Sequence, residues 1–510
     1  MAVAKKKSQR VAEFGDFQTP IELARRVAQH LASIGIAPNS VVEPTCGKGS
    51  LLFAAIDQFP NVESALGLDI NLRYVESVME NLQSRRHAGS VRVLKQDFFD
   101  ADWPTLLKGL PDPLLIIGNP PWVTNSELSS RGSSNVPTKT NFQNHNGLDA
   151  VTGKANFDIS EWMLIRMLDW IRGRRATIAM LCKTAVARKV LLHAWKHGIG
   201  VAHAAMYRID AKSQFGAAVD ACLLVCSSAS AGQERDCRVY DSLRGDAAPQ
   251  IIGYRGGGLV ADVRVYERWK HLDGVGDENY RWRSGIKHDC AKVMELVKVG
   301  NRYRNGLGEL LDLGNEFLYP MLKSSEVAGG RTTKPTRWML VPQRSVGEDT
   351  SMIRSRDPKT WRYLQSHADL LARRASSIYR KRPAFSIFGV GDYSFAPWKI
   401  AISGFYKSLD FVAIGSFAGK PIMLDDTSYF LPCQCREEAE FLASLLCSDP
   451  AQEFLSGRVF WDAKRPITVE LLRRLNLDAL ARELGSECTL AEFNATADAA
   501  KTRRVLSLFR

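Results

Sequence analysis

Between Val41 and Val225 the chain alternates short apolar runs with helical periodicity, and few folds are compatible with that rhythm. The runs are Val41-Val42, Ala65-Leu66-Gly67-Leu68, Val91-Arg92-Val93-Leu94, Leu114-Leu115-Ile116-Ile117, Thr177 to Leu181 and Val219 to Val225. Stretches such as Leu72 to Leu82 and Ile159 to Ile171 lie between them, with apolar residues recurring every three or four positions as in a helix. Strands separated by helices predict an α/β fold, a doubly wound sheet that binds ligands beyond the carboxyl ends of its strands. From about Tyr266 onward Gly, Pro, Arg and aromatics mix with short strand-like and helical pieces, which predicts a separate α+β domain. We therefore expect one domain over 1–265 and another over 266–510.

Composition narrows the partners. No apolar stretch approaches the roughly 18 residues needed to cross a bilayer, and the basic start, Met1 to Arg10, lacks a signal peptide's apolar segment. The expectation is a cytoplasmic protein with no membrane partner. The ten cysteines are scattered, and Cys222/Cys226 and Cys433/Cys435 lack the spacing of a zinc site, so reduced thiols and no metal are expected. A net charge of +13 favours a polyanionic partner. The stretch Arg354 to Arg382 concentrates it, with nine Lys and Arg opposed by Asp357 and Asp369, although a solvated helix face would read the same way.

The chemistry sits at the ends of the apolar runs. After Val41-Val42, the segment Glu43-Pro44-Thr45-Cys46-Gly47-Lys48-Gly49-Ser50 turns tightly into a helix at Leu51-Leu52-Phe53, and its glycines let backbone approach a ligand. A phosphate loop is excluded, because the upstream Gly is missing and Gly49 stands where Ser or Thr should follow Lys48. The next run ends in Asp69, suited to ribose hydroxyls, and the third leads to Asp97-Phe98, a carboxylate and a ring for an adenine, although acidic residues after strands are also common helix caps. The fourth ends in Asn119-Pro120-Pro121-Trp122, where an amide and a carbonyl can accept hydrogen bonds from an exocyclic amine and an indole offers a stacking face. A Pro-Pro turn before a core Trp would look the same. The polar stretch Thr124 to Ala155 that follows predicts a lid or substrate-contacting loop.

In order and spacing this set resembles the S-adenosylmethionine-dependent amino-methyltransferases. With Phe17-Gln18-Thr19-Pro20 and the helical Ile21 to Leu31 ahead of it, it is similar to the gamma-class adenine-N6 DNA methyltransferases of type II restriction-modification systems. The resemblance covers roughly residues 14 to 226, and more loosely Trp282 to Asp289 and Tyr379 to Trp398. It implies a Rossmann-like methyltransferase sheet followed by an α+β target-recognition domain. It also implies S-adenosylmethionine as cofactor, double-stranded DNA as partner and, in some systems, a separately encoded restriction endonuclease. By the same resemblance Thr19, Glu43, Thr45, Cys46 and Gly47 surround the methionine end of the cofactor, Asp69 its ribose, and Asp97 with Phe98 its adenine. Asn119, Pro120, Pro121 and Trp122 would form the catalytic motif and Phe215 would pack the other face of the target base; separately, the basic-aromatic mixture of Arg380, Lys381 and Arg382 beside Tyr379, and of Lys399 beside Trp398, suggests DNA contacts, although an aromatic-rich segment such as Phe385 to Trp398 is more often core. Two departures stand out, Trp122 where Tyr or Phe is usual and the bulky Lys48 between two glycines.

The implied reaction is direct methyl transfer to an adenine N6 extruded from the duplex. Asn, rather than Ser, at 119 favours adenine over cytosine N4 by the same resemblance. An RNA or protein-glutamine methyltransferase shares the tetrapeptide but needs neither the Phe17 segment nor so long a second half. A fused nuclease would need a Pro-Asp and Glu-x-Lys core that is not found, and a DNA-binding protein on a dead scaffold would not need intact motifs.

Overall fold

Six of the apolar runs become strands of one ten-stranded sheet, each a little longer than its run. The computed structural model describes residues 17–83, 90–123, 158–228, 235–245, 247–274 and 279–496. The start of the chain and the polar stretch Thr124 to Ala155 therefore lie outside the described residues. Contacts divide the chain into Met1–Val263 and Arg264–Arg510. The first unit holds β1 (Ser40–Glu43), β2 (Ser64–Asp69), β3 (Val91–Lys95), β4 (Leu114–Gly118), β5 (Ala176–Lys183), β6 (Val201–Ile209), β7 (Ala221–Ser228), β8 (Asp236–Tyr240), β9 (Gln250–Arg255) and β10 (Gly258–Val260).

Their spatial order is β10-β9-β8-β6-β7-β5-β4-β1-β2-β3. Strands β1 to β5 are mutually parallel, whereas β7 runs antiparallel between β5 and β6. Every position of β1 and β4 is buried, which is why these strands read as unbroken apolar runs rather than alternating ones. The chain leaves β1 toward β2 and β3, then returns to place β4 on the other side. That reversal opens a crevice beyond the carboxyl ends of β1 and β4, where Glu43 and Asn119 fall.

Helix Ile21–Ser33 presents Leu23, Val27 and Leu31 to Leu51, Leu52 and Ala55 of helix Ser50–Gln58, part of one core with Val41, Leu115 and Ile117. Each such Leu or Val side chain, taken fully out of water, contributes about 1.5–3 kcal/mol before the entropy of ordering it. Both helices flanking the crevice are thus anchored from behind. Strand β6 and helix Thr184–Lys196, absent from the expected pattern, complete the sheet and cover it.

In the second unit a four-stranded sheet runs in the order Arg283–Ser284, Ser428–Cys433, Trp398–Ser403, Val412–Ile414, and a six-stranded one is centred on Glu295–Val299 and Arg337–Leu340. Short helices join them, an α+β arrangement. No helix among the described residues is long and apolar enough to cross a membrane.

Candidate active site

The loop after β1 is held by hydrogen bonds from three directions. Cys46 N–H donates to Leu68 O at 2.7 Å, Gly47 N–H to Asp69 Oδ2 at 2.8 Å, and Lys48 N–H to Gln18 Oε1 at 3.0 Å. Gly47 and Gly49 have φ of +50° and +77°, the left-handed region that glycine enters without penalty. Gly49 N-caps helix Ser50–Gln58, and a Cβ on residue 47 would come within 2.6 Å of Gln18 Oε1. Lys48 between them is exposed, so its length is accommodated in solvent.

Glu43 is buried, and its Oε2 accepts the Leu52 N–H at 2.8 Å, tying the end of β1 to the first turn of that helix. Burial raises its carboxyl well above the usual range; the Leu52 amide pulls it back, and the charge of Asp69 adds to the rise. Burial likewise pushes the Cys46 thiol up, leaving it a small buried apolar group. Thr19 is buried nearby in sequence to Gln18, and Thr45 is half-buried in the loop. Asp69 Oδ1 also accepts the Asn71 N–H at 2.8 Å, so its carboxylate is fixed across the turn after β2. At the next strand end Asp97 Oδ1 accepts the Phe99 N–H at 2.8 Å. Phe98 is buried in an aromatic cluster, 5.2 Å from Trp103 and 5.6 Å from Trp170, while the neighbouring Phe99 is only half-buried. These groups fit a nucleoside-type cofactor: a glycine cradle closed to side chains, then carboxylates at successive strand ends.

Asn119 carries the least ordinary atom of the site. Its Nδ2 donates to Phe17 O at 2.8 Å, while its Oδ1 is buried with no hydrogen-bond partner among the described residues. Rotating the amide by half a turn would set oxygen against the Phe17 carbonyl, so the orientation is fixed by that neighbour. An unsatisfied buried acceptor costs about 1–3 kcal/mol. The group it lacks is a donor.

Trp122 is buried at 5%, its Nε1 donating to Leu181 O at 3.3 Å. Phe215, on the short helix Ala211–Phe215 between β6 and β7, reaches it with ring centroids 5.1 Å apart and planes 70° apart. Phe17 completes the group at 5.8 Å from Trp122 and 6.3 Å from Phe215. The expected aromatic partner is thus present, but edge-on; in this form the two rings leave no parallel slot between them.

Behind the tetrapeptide, Lys183 at the end of β5 donates to Trp122 O at 2.9 Å and pairs with Asp158 Oδ2 at 2.6 Å. Val123 O accepts the Ile159 N–H at 3.0 Å. Residues 122–123 and 158–159 are thereby held together. The sequence reading missed this cation, and nothing in a Lys after an apolar run would have singled it out.

In the second unit the two segments singled out in the sequence meet. Lys287 and Phe388 exchange backbone hydrogen bonds of 2.8 and 2.9 Å, and Arg374 stacks on Tyr379 at 3.6 Å while donating to Ser386 O and His288 O. Lys381 and Arg382 are exposed, and Lys381 has φ of +60°. Lys399 corrects the expectation: it is 2% exposed and donates to Ala396 O at 2.8 Å inside the core, out of reach of a phosphate. No group of three or more His, Cys, Asp or Glu among the described residues can hold a metal ion.

No family model matches the chain. Over 470 residues it is 44% identical to the Type II methyltransferase M.NspV of a Nostoc species, an alignment covering 92% of this chain and 97% of that protein. Among solved structures, the Type IIL restriction-modification enzyme MmeI, determined in complex with DNA, matches with a TM-score of 0.53 at 13% identity, over 91% of this chain and 64% of that one. The chain thus spans under two thirds of that enzyme's length, and the likeness speaks for the fold alone. Identity sustained across nearly all of both chains is decisive where the fold is not: this chain belongs to the Type II methyltransferases, whose methyl donor is S-adenosylmethionine.

Proposed function

We propose that the chain methylates the N6 amine of an adenine extruded from duplex DNA, at sites chosen by Arg264–Arg510. The observation that carries the reading is Asn119 Oδ1, a buried acceptor with no donor among the described residues, directly after β4 and beside a rigid Pro-Pro backbone and an indole. An exocyclic amine supplies two N–H donors, one for Asn119 Oδ1 and one for the Pro120 carbonyl. Accepting both draws the amine's lone pair out of conjugation with the ring, which it must leave to act as a nucleophile. S-adenosylmethionine, when bound, supplies an electrophilic methyl group.

The rest is positioning. Glu43, Thr19, Thr45, Cys46 and Gly47 would surround the methionine end of the cofactor, Asp69 its ribose, and Asp97 with the Phe98 segment its adenine. Holding the amine within about 3–3.5 Å of its electrophile accounts for much of the acceleration expected of such a site. Stacking on Trp122, worth about 1–3 kcal/mol, offsets part of the cost of unstacking the base from the duplex. Phe215 turns from edge-on to parallel to cover the other face. Exposed Lys381 and Arg382 would engage phosphates and base edges, which the net charge of +13 favours.

Asn119→Ala tests the reading on genomic DNA from a host lacking the gene, with tritiated S-adenosylmethionine and nucleoside analysis of the product. The expected product is N6-methyldeoxyadenosine. Transfer should fall by about 10²–10³-fold or more, the usual loss on removing one preorganised polar group from a transition state. Binding of S-adenosylhomocysteine should hold within about threefold. Undiminished transfer by the variant, or N4-methyldeoxycytidine as product, would overturn it.

A further inference from the structure

The dipeptide Phe17-Gln18 touches both halves of the site. Gln18 Oε1 accepts the Lys48 N–H at 3.0 Å, and its amide covers Gly47 where any Cβ would collide with it. One residue earlier, Phe17 O accepts the Asn119 Nδ2–H at 2.8 Å, and the Phe17 ring lies against both Trp122 and Phe215.

These two grips are joined by a single rigid unit. The carbonyl of Phe17 and the Cα of Gln18 belong to one planar peptide group, so a shift of Gln18 carries the Phe17 oxygen with it. The Asn119 amide, by contrast, turns about a broad, roughly two-fold torsion and has no orientation of its own. The Phe17 oxygen selects one, since it attracts Nδ2 and repels Oδ1. The aim of the orphan acceptor therefore depends on where the loop after β1 holds Gln18.

We propose that Gln18 is a positioning residue that couples the cofactor loop, through the Phe17 peptide, to the orientation of the Asn119 amide oxygen. The proposal rests on the reading of Asn119 as the amine acceptor. It makes the target pocket competent only while the loop beneath the cofactor keeps its hydrogen bond to Gln18, so that cofactor and target base are sensed by one element. Thr19, next in the chain, lies on the same short segment and was the member singled out in the sequence.

The test uses the full-length protein with Gln18→Leu, which keeps bulk but removes the acceptor, and Gln18→Glu, which restores an oxygen for the Lys48 N–H. At saturating cofactor and genomic DNA, Gln18→Leu should lower kcat by about tenfold or more while the Kd of S-adenosylhomocysteine moves by less than about threefold. Gln18→Glu should recover kcat to within about threefold of the parent, which also shows that the position tolerates substitution. Because both side chains act through one acceptor, Gln18→Leu combined with Asn119→Ala should transfer no more slowly than Asn119→Ala alone. The proposal is overturned by an unchanged kcat in Gln18→Leu, by a loss that appears only as weaker cofactor binding, by a Gln18→Glu variant as slow as the Leu one, or by multiplicative losses in the double variant. An Asn119→Ala protein that remains fully active would instead remove the reading beneath it, so the two failures are separable.

Discussion

Replacing Lys183 with Met should destabilise the first unit. The ammonium spans 2.6 Å to Asp158 Oδ2 and 2.9 Å to Trp122 O, with 23% of the Lys side chain and 9% of the Asp side chain exposed. Met keeps most of the apolar stem and leaves Asp158 charged, buried and without its counter-ion. Breaking a buried pair from one side costs about 3–5 kcal/mol. The lower end, about 3 kcal/mol, applies here because Lys183 keeps some contact with water and because the other carboxylate oxygen still accepts from Ser160 N and Oγ at 3.1 and 2.5 Å. For a unit of this size each kcal/mol lowers the midpoint by about 2–4 °C, so a drop of about 6–12 °C is expected. Calorimetry on the full chain can assign the transition, since S-adenosylhomocysteine raises the midpoint of the unit that binds it. Asp158→Asn in the Lys183→Met background should then cost less than in the parent, with a coupling of about 1.5 kcal/mol or more. A midpoint shift below about 2 °C, or strictly additive effects, would show that the pair does not hold these two chain segments together.

Two other perturbations have worked signs. Gly47→Ala forces a φ of +50° on a residue with a Cβ and drives that carbon toward Gln18, a strain of about 1–2 kcal/mol from the backbone alone. Calorimetric titration should find S-adenosylhomocysteine bound about tenfold more weakly, and unchanged affinity would remove the loop from the cofactor site. In the second unit, burial pushes the Lys399 ammonium down from 10.5 to about 7. Between those values the unfolded chain binds more protons than the folded one, so this group's contribution rises with pH from about 7 to about 10 and is at its worst below 7. Lys399→Met should therefore raise the second unit's melting midpoint at pH 7, with the gain shrinking toward pH 10; a constant difference between the two proteins across that range would refute the titration.

How much of this was legible in the sequence depends on which atoms do the work. Strands buried on both faces write themselves as apolar runs, and the ends of β1, β2 and β4 could be read from Val41-Val42, Ala65 to Leu68 and Leu114 to Ile117, while β3, an edge strand with Arg92 and Lys95 exposed, was still legible from Val91, Val93 and Leu94. Strand β6 escaped because Val201 to Ile209 carries Ala202, His203, Ala204 and Ala205, with β-branched residues only at its ends. It is a strand because β7 and β8 hydrogen-bond to it on both sides, a tertiary cause with no local signature. Lys399 misled for the opposite reason. A Lys beside Trp398 suggests a basic-aromatic surface, yet Lys399 to Ser403 are all buried, so the strand has no solvent face to give it.

Within the candidate site, the side chains that meet could be named from the sequence, and the main-chain atoms that hold them could not. Asn119, Trp122 and Phe215 could be chosen by residue type, but the carbonyl that orients Asn119 belongs to Phe17, and any residue there would carry one. Phe98 shows the converse: chosen by type for an adenine face, it is packed among Phe99, Trp103 and Trp170, while Asp97 and Phe99 on either side of it are half-buried. The Asn119 oxygen, without a donor among the described residues, favours the proposed binding turn over a merely packed one. A Pro-Pro turn before a core Trp has no use for a buried acceptor left without a donor, and a substitution to an apolar residue would relieve a cost of about 1–3 kcal/mol. On the proposed reading, that oxygen, aimed by the hydrogen bond from Asn119 Nδ2 to Phe17 O, would meet a donor that arrives from outside the fold.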